Sequence, residues 1–255
     1  MPETDHRPVF LLDLAVGFAL LTRLPLPRLA DAVFVRQARA VWTFALVGAV
    51  VGLLAGGAGW AAMWAGLPGM AAAGLVLMVQ IVVTGAMHED GLADTMDGLW
   101  GGWSRERRLE IMKDSAIGTY GVLALILSLG LRWGALSVLL AGGIAPVIAA
   151  GAVSRCLMPV VMATLPHARD DGLSRHVGRP GKGVAGVACL LGTALGLAVC
   201  GVWAAVPMAL ACVATAGIMW IARARIGGQT GDILGAVQQV TEIAMLLGFA
   251  ATIAG

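Results

Sequence analysis

Long apolar runs separated by short polar stretches dominate the chain. Seven of them, near residues 41–65, 69–87, 117–140, 143–164, 183–203, 207–222 and 233–254, approach or exceed the roughly 20 residues that a transmembrane helix needs. An earlier run, about residues 9–22, is short for a span and is interrupted by Asp13 before it meets Arg23. It predicts a re-entrant or interfacial helix. Gly-Leu-Pro-Gly at 66–69 and the stretch around Pro207 read as turns, with Gly142-Gly143 a weaker one. The expected fold class is therefore all-α, a polytopic integral membrane helical bundle of about seven spans plus the short N-terminal helix. No second domain and no internal repeat interrupts residues 1–255. Gly48, Gly52 and Gly56 form a G-x-x-x-G-x-x-x-G run, which lets helix backbones approach closely in lipid and carries no chemistry.

Composition supports this reading. Apolar residues make up 59% of the 255 positions and charged residues 13%, against about 45–50% and about 25% in soluble domains. Mean hydropathy is +0.87. A globule of this size could not bury so much apolar side chain, so an ordinary soluble domain, a disordered chain and a nucleic-acid binder are excluded. Net charge is +2, which makes no case for a polyanionic partner. Cys156, Cys189, Cys200 and Cys212 lie in apolar runs with no metal-finger or C-x-x-C spacing and read as small buried hydrophobes. Met1 to Pro8 carries charges of both signs and lacks the pattern of a cleavable signal.

The charges gather in alternate connections, near residues 23–39, 88–115, 165–182 and 223–232. The other connections, near 66–69, 141–142 and 204–207, hold no Lys or Arg. The positive-inside rule places the four basic loops in the cytoplasm of a multi-pass protein of the cell (inner) membrane. Two charges fall inside apolar runs. Arg155 reads as an anion-binding residue or a buried partner in an ion pair, Arg132 as structural.

The most informative segment is His88-Glu89-Asp90-Gly91-Leu92-Ala93-Asp94-Thr95-Met96-Asp97-Gly98. Asp90, Asp94 and Asp97, at i, i+4 and i+7, form one stripe on a helix. Like charges at that spacing repel unless a cation neutralises them, and a hard divalent ion such as Mg²⁺ takes carboxylate oxygens together with substrate phosphates. His88 and Glu89 flank the stripe as candidates for proton transfer. Lys113 and Asp114 follow an amphipathic segment, the lysine suited to a phosphate and Asp114 to the metal. Gly227-Gly228-Gln229-Thr230-Gly231-Asp232 opens the last run, where free backbone N–H groups at a helix start suit an anion. Asp232 with Gln239 and Glu242 then lays polar groups along an otherwise apolar helix. Two acidic patches and several cations on one membrane face fit the metal-assisted transfer of a phosphate-bearing group.

Leu21-Thr22-Arg23-Leu24-Pro25, the block from His88 to Gly98, Leu109 to Ser115 with Gly118-Thr119-Tyr120-Gly121, Ser154-Arg155, Leu165-Pro166 with Gly172-Leu173, and Gly227 to Ala236 with Glu242 together resemble the cobalamin synthase family, the adenosylcobinamide-GDP ribazoletransferases. The likeness runs in order from about residue 18 to 245. It implies transfer of adenosylcobinamide phosphate from adenosylcobinamide-GDP to α-ribazole or its 5′-phosphate, with release of GMP, late in vitamin B12 assembly. It implies Mg²⁺ as cofactor, held by Asp90, Asp94 and Asp97 with Asp114 and Asp232 as further ligands. His88, Glu89 and Asp97 are the expected catalytic residues, and Arg23, Lys113, Arg155, Gly228 and Thr230 the expected substrate contacts. Partners are the two substrates and the bilayer, with a homo-oligomer or an association with other cobalamin-assembly enzymes left open. Arg132 finds no place in the family pattern.

Two other readings compete. Asp94-x-x-Asp97-Gly98 echoes the start of the acidic motif of CDP-alcohol phosphatidyltransferases, but the rest of that motif is missing. A transporter fits the topology, yet its polar groups would sit near the midplane in two related halves.

Overall fold

A computed structural model describes residues 8–254, so the charged segment before Pro8, on which the signal-peptide reading rests, lies outside the described residues. Twelve α-helices follow in order: α1 (Val9–Leu21), α2 (Gln37–Ala40), α3 (Phe44–Trp64), α4 (Gly69–Thr84), α5 (Met87–Gly101), α6 (Arg105–Ile111), α7 (Thr119–Leu139), α8 (Ala145–Thr164), α9 (Leu173–Val177), α10 (Lys182–Cys200), α11 (Ala205–Ile226) and α12 (Gly231–Ala254). Among the described residues there is no strand, only a single parallel bridge between His167 and Gln229. Each of the seven long apolar runs falls on one long helix. By length and apolarity, five helical stretches could cross a membrane, or six if α4 and α5 count as one bent span.

One of the five stretches is the 45-residue segment Lys182–Ile226. Gly201, with φ +60, breaks it into α10 and α11. Val184 near its start and Ile226 at its end pack into the same apolar cluster, so the two legs fold back on each other. The short N-terminal helix is held by Asp13, a buried acid that accepts hydrogen bonds from Arg36 Nε at 3.1 Å and Trp42 Nε1 at 3.0 Å. The charge that interrupts the first apolar run thus anchors it to the following loop.

Glycines set the helix spacing where backbones touch. A Cβ on Gly48 would lie 2.0 Å from the Gly151 carbonyl oxygen, and one on Gly52 2.6 Å from that of Val147. The G-x-x-x-G run therefore seats α3 directly on α8. Gly91 and Gly235 do the same for α5 on α12, each Cβ falling 3.1 Å from the other residue's Cα.

The centre of the bundle is polar. Arg132 of α7 is 1% exposed. It donates to Gln239 Oε1 at 2.7 Å, Gln80 Oε1 at 2.8 Å and Glu89 Oε1 at 3.0 Å, and lies 3.3 Å from Glu242 Oε1. Gln80 and Gln238 donate to the two oxygens of Glu242 at 2.9 and 2.5 Å. Arg155 Nη1 lies 3.6 Å from Glu242 Oε2. Ser128 and Ser154 complete the cluster through Gln239 and Gln238. Two arginines and two glutamates balance in charge, and the glutamines occupy both oxygens of Glu242 and one of Glu89. Removing one member of such a buried set strands its partners. Arg132→Met is expected to destabilise the fold by about 3–5 kcal/mol, read as a lower Tm in detergent; a Tm close to that of the parent would show that water reaches the glutamates.

Candidate active site

The site is built on α5, and a tight corner sets its direction. Gly85 and Ala86 both adopt left-handed backbone, φ +66 and +58, a conformation that costs a non-glycine residue such as Ala86 about 1–3 kcal/mol. The corner turns α5 by 89° from α4. Gly85 also makes room for Arg23, whose Nε would lie 2.7 Å from a Cβ there. Arg23 thereby sits, exposed, over the corner from which the acidic helix departs.

Asp90 is exposed and Asp94 half-buried on the outer side of α5. Asp94 stands within coulombic range of Asp90, Asp232 and Asp97, and Arg169 is the cation that opposes them. Arg169 Nη2 lies 3.3 Å from Asp232 Oδ2, and its Nε 3.5 Å from Asp171 Oδ1. Asp171 in turn pairs with Lys113, and the lysine's hydrogen bond holds that carboxyl below the usual range. An open cleft of about 470 Å³ runs along this side, lined by Glu89, Asp90, Asp94, Lys113, Asp114 and Ser115 among others. Carboxylates and cations thus alternate around its mouth.

The three aspartates of the stripe are not equivalent. Asp97 is buried, and its two oxygens accept the backbone N–H groups of Gly118 at 2.6 Å and Gly121 at 2.9 Å. It caps the start of α7, satisfying donors the helix cannot satisfy itself. In this structure both of its oxygens are engaged in that cap, and Asp97 does not line the cleft. A Cβ at Gly118 or Gly121 would come within 2.5 Å of its carboxylate, which explains both glycines.

Arg155, Gly228, Thr230 and His88 likewise do not line the cleft. Arg155 is 2% exposed, paired with Glu242 inside the bundle, and lines neither the cleft nor its rim. Gly228 is small because a Cβ would fall 2.2 Å from the Pro166 carbonyl oxygen. Its loop is pinned to residues 166–168 by Gln229 N–H to Pro166 O at 2.8 Å and Ala168 N–H to Gln229 O at 2.9 Å. Thr230 is buried, and its Oγ1 accepts the Ile233 N–H at 3.3 Å and donates to Asp232 at 3.1 Å. In the glycine-rich turn, the Thr230 hydroxyl and the Gln229 backbone are thus engaged by the helix start and the neighbouring loop. His88 is not on the cleft side of α5 and faces an apolar pocket instead.

The remaining expected residues do gather. Glu89 lines the cleft, with Oε1 held by Arg132 and Gln239 and Oε2 without a hydrogen-bond partner. Lys113 and Asp114 line the same cleft, Asp114 also accepting the Ala116 N–H at 3.1 Å. Asp232 lies at the acidic ridge through Asp94 and Arg169. Sequence reasoning missed Arg169, whose Nε and Nη1 have no hydrogen-bond partner; its only sequence signal is its place in a basic loop.

Arginines weld the loops of this face together. Arg105 donates to the carbonyls of Ile226 at 3.0 Å and Ala168 at 2.5 Å, Arg108 to that of Arg225 at 3.2 Å, and Arg179 to that of Ala163 at 2.8 Å. Apart from Ala168, in the loop after α8, each of these carbonyls lies in the last turn of a helix, where a positive charge is favoured. His167 belongs to the same seam. Burial, with Arg175 and Arg179 nearby, lowers its pKa, so the neutral ring accepts from Gln229 Nε2 through Nδ1 at 3.0 Å.

Among the described residues no three His, Cys, Asp or Glu side chains converge closely enough to cage a metal ion. Asp90 and Asp94, one turn apart with Asp232 facing them, nevertheless suit Mg²⁺. That ion is usually held by one or two carboxylates, with waters and substrate phosphates completing its shell.

Comparison with known proteins covers nearly the whole chain. The family model described as Cobalamin-5-phosphate synthase matches residues 13–250. The chain is similar to the adenosylcobinamide-GDP ribazoletransferase of Bradyrhizobium diazoefficiens, 43% identical over 97% of this chain and 96% of the relative. It is similar to those of Mesorhizobium japonicum, 42% identical over 92% and 91%, and Azorhizobium caulinodans, 41% identical over 93% and 95%. No solved structure matches.

The different jobs of the aspartates can be separated by stability. Asp97→Ala is expected to cost about 1–2 kcal/mol, as for a lost helix cap. Asp94→Asn relieves repulsion and is expected to leave Tm unchanged or raised. Thermal unfolding of both variants in the same detergent checks this; the reverse order would overturn the assignment of Asp97 as a cap.

Proposed function

We infer the roles of these residues from the premise that the chain belongs to the cobalamin-5-phosphate synthase family. The chain is an enzyme that transfers the adenosylcobinamide phosphate of adenosylcobinamide-GDP to ribazole, the final step of nucleotide-loop assembly in vitamin B12 synthesis. A ribazole hydroxyl attacks the phosphorus next to the cobinamide, the bond from that phosphorus to the bridging oxygen breaks, and GMP leaves with the electron pair. The observation that supports this location best is the ridge of Asp90 and Asp94, bordered by Lys113 and Arg169 on an open cleft.

Within that reading, Asp90 and Asp94 would hold Mg²⁺, which supplies charge neutralisation on the diphosphate. Lys113 and Arg169 exchange their contacts with Asp171 for phosphate oxygens and stabilise the charge that builds on departing GMP. Arg23, over the corner, guides the anion in. Glu89 takes the proton of the attacking hydroxyl at Oε2, the oxygen that the protein leaves without a partner. Arg132 and Gln239, holding Oε1, are positioning residues for it. The four basic loops share this end of the bundle, and the positive-inside rule puts it in the cytoplasm of an inner-membrane protein.

The test uses membranes that contain the protein, supplied with adenosylcobinamide-GDP and α-ribazole phosphate, with Mg²⁺ or with EDTA. Formation of GMP and the cobalamin product in equal amounts, lost in EDTA, is the expected result. Asp90→Asn and Asp94→Asn should each lower kcat at least about 100-fold, in line with loss of a preorganised charge at the reacting centre. Wild-type turnover in either variant removes that residue from the site.

A further inference from the structure

A second pocket opens on the other flank of α5. It measures about 60 Å³, on the scale that gives the cleft about 470 Å³, and lies among α1, α3, α5, α8, α9 and α12. Phe44, Met87, Met158, Met162 and Leu234 make its wall apolar. Two polar side chains reach it, and they differ. Ser174 is engaged, its hydroxyl donating to Gln229 Oε1 at 2.6 Å. His88 is 1% exposed, and neither ring nitrogen has a hydrogen-bond partner. A buried imidazole without partners is unfavourable, so a ligand that supplies the missing bond is favoured there.

The first turn of α5 joins this pocket to the cleft. Met87 and His88 face the pocket, while Glu89 and Asp90 face the cleft. Gly231 lines the pocket and the next residue, Asp232, stands at the acidic ridge. A molecule seated in the pocket therefore carries any substituent at its mouth toward the ridge. Of the chemical parts that the reaction brings together, a corrin macrocycle is too large for such a volume. Guanine would bury an amide and an amino group with no partners beyond His88. A flat, uncharged, methyl-bearing aromatic base with one unsubstituted ring nitrogen matches both the apolar wall and the single free donor.

We propose that this pocket binds the aromatic base of ribazole, with the His88 N–H donating to the base's free ring nitrogen and the ribose emerging at the ridge. His88 is then a specificity-determining residue for the acceptor substrate and takes no part in proton transfer. The proposal rests on the ribazole-transfer reading above.

The experiment measures equilibrium binding of α-ribazole to the detergent-solubilised protein, without the second substrate, and KM for each substrate during turnover. An isosteric riboside in which a C–H replaces the free ring nitrogen serves as the comparison ligand. The parent protein should bind α-ribazole at least about tenfold more tightly than this analogue, the ratio that one hydrogen bond of about 1.4 kcal/mol supplies. His88→Phe should erase that preference and raise KM for α-ribazole while leaving KM for adenosylcobinamide-GDP unchanged. Met162→Trp, which fills the pocket and keeps the His88 side chain, should weaken both ribosides alike. Equal binding of the two ribosides by the parent, a preference that survives His88→Phe, or an effect confined to adenosylcobinamide-GDP would overturn the proposal. Absence of turnover with selective ribazole binding intact would count against the proposed reaction and leave the pocket assignment standing.

Discussion

The structure depends on one constraint: two arginines must be kept in the middle of an apolar bundle. A charge in that environment is expensive unless it is paired and every remaining donor is satisfied. Arg132 and Arg155 meet most of that demand by converging on Glu89 and Glu242, with Gln80, Gln238 and Gln239 as further partners; the Nε of each arginine stays without a hydrogen bond. The partners come from α4, α5, α7, α8 and α12, so one cluster fixes the rotation and depth of five helices at once. Apolar packing alone would let these helices slide, since lipid tails compete equally for an apolar face. Hydrogen bonds of fixed length and direction leave no such freedom. Because Glu89 also lines the cleft, the rigidity of the bundle is passed directly to the chemistry.

The helix that carries the chemistry is unlike its neighbours. It is short, turned across α4, and divides two environments, one polar and one apolar. A two-substrate transferase needs such a division. A diphosphate is recognised by charge and an aromatic base by shape, and each would be poorly served in the other's surroundings. The ridge between them concentrates carboxylates where self-repulsion is greatest. That arrangement is stable only with cations nearby, and Arg169 and Lys113 occupy those places in the protein alone.

Much of this is legible in the sequence, and the reasons are local. Apolar runs mark the long helices, alternate basic loops mark one end of the bundle, and the acids at 90 and 94 mark the cleft of the proposed site. What is not legible depends on distant partners. Nothing near Asp97 shows that its oxygens meet the start of α7, more than twenty residues later. Arg132 is enigmatic until Glu89 and Glu242 arrive from other helices. Thr230 carries the outward sign of an anion nest, yet its hydroxyl serves the helix cap while the neighbouring Gln229 backbone pairs with residues 166–168. Residue type and spacing reveal which groups are able to act; burial and pairing decide which are free to.

The length of α4 has a consequence of another kind. Its 16 residues rise about 24 Å, short of the roughly 30 Å hydrocarbon core, so a start at the far membrane face would set the corner after it and the acidic ridge below the plane where longer helices end. On the proposed reading the reacting groups would then sit in a depression at headgroup depth rather than on a protruding surface. An amphipathic substrate adsorbed on the bilayer meets them by lateral diffusion. Encounter becomes a two-dimensional problem, governed by substrate molecules per lipid rather than per litre, and diluting the membrane with inert lipid slows the enzyme even when every bulk concentration is held constant.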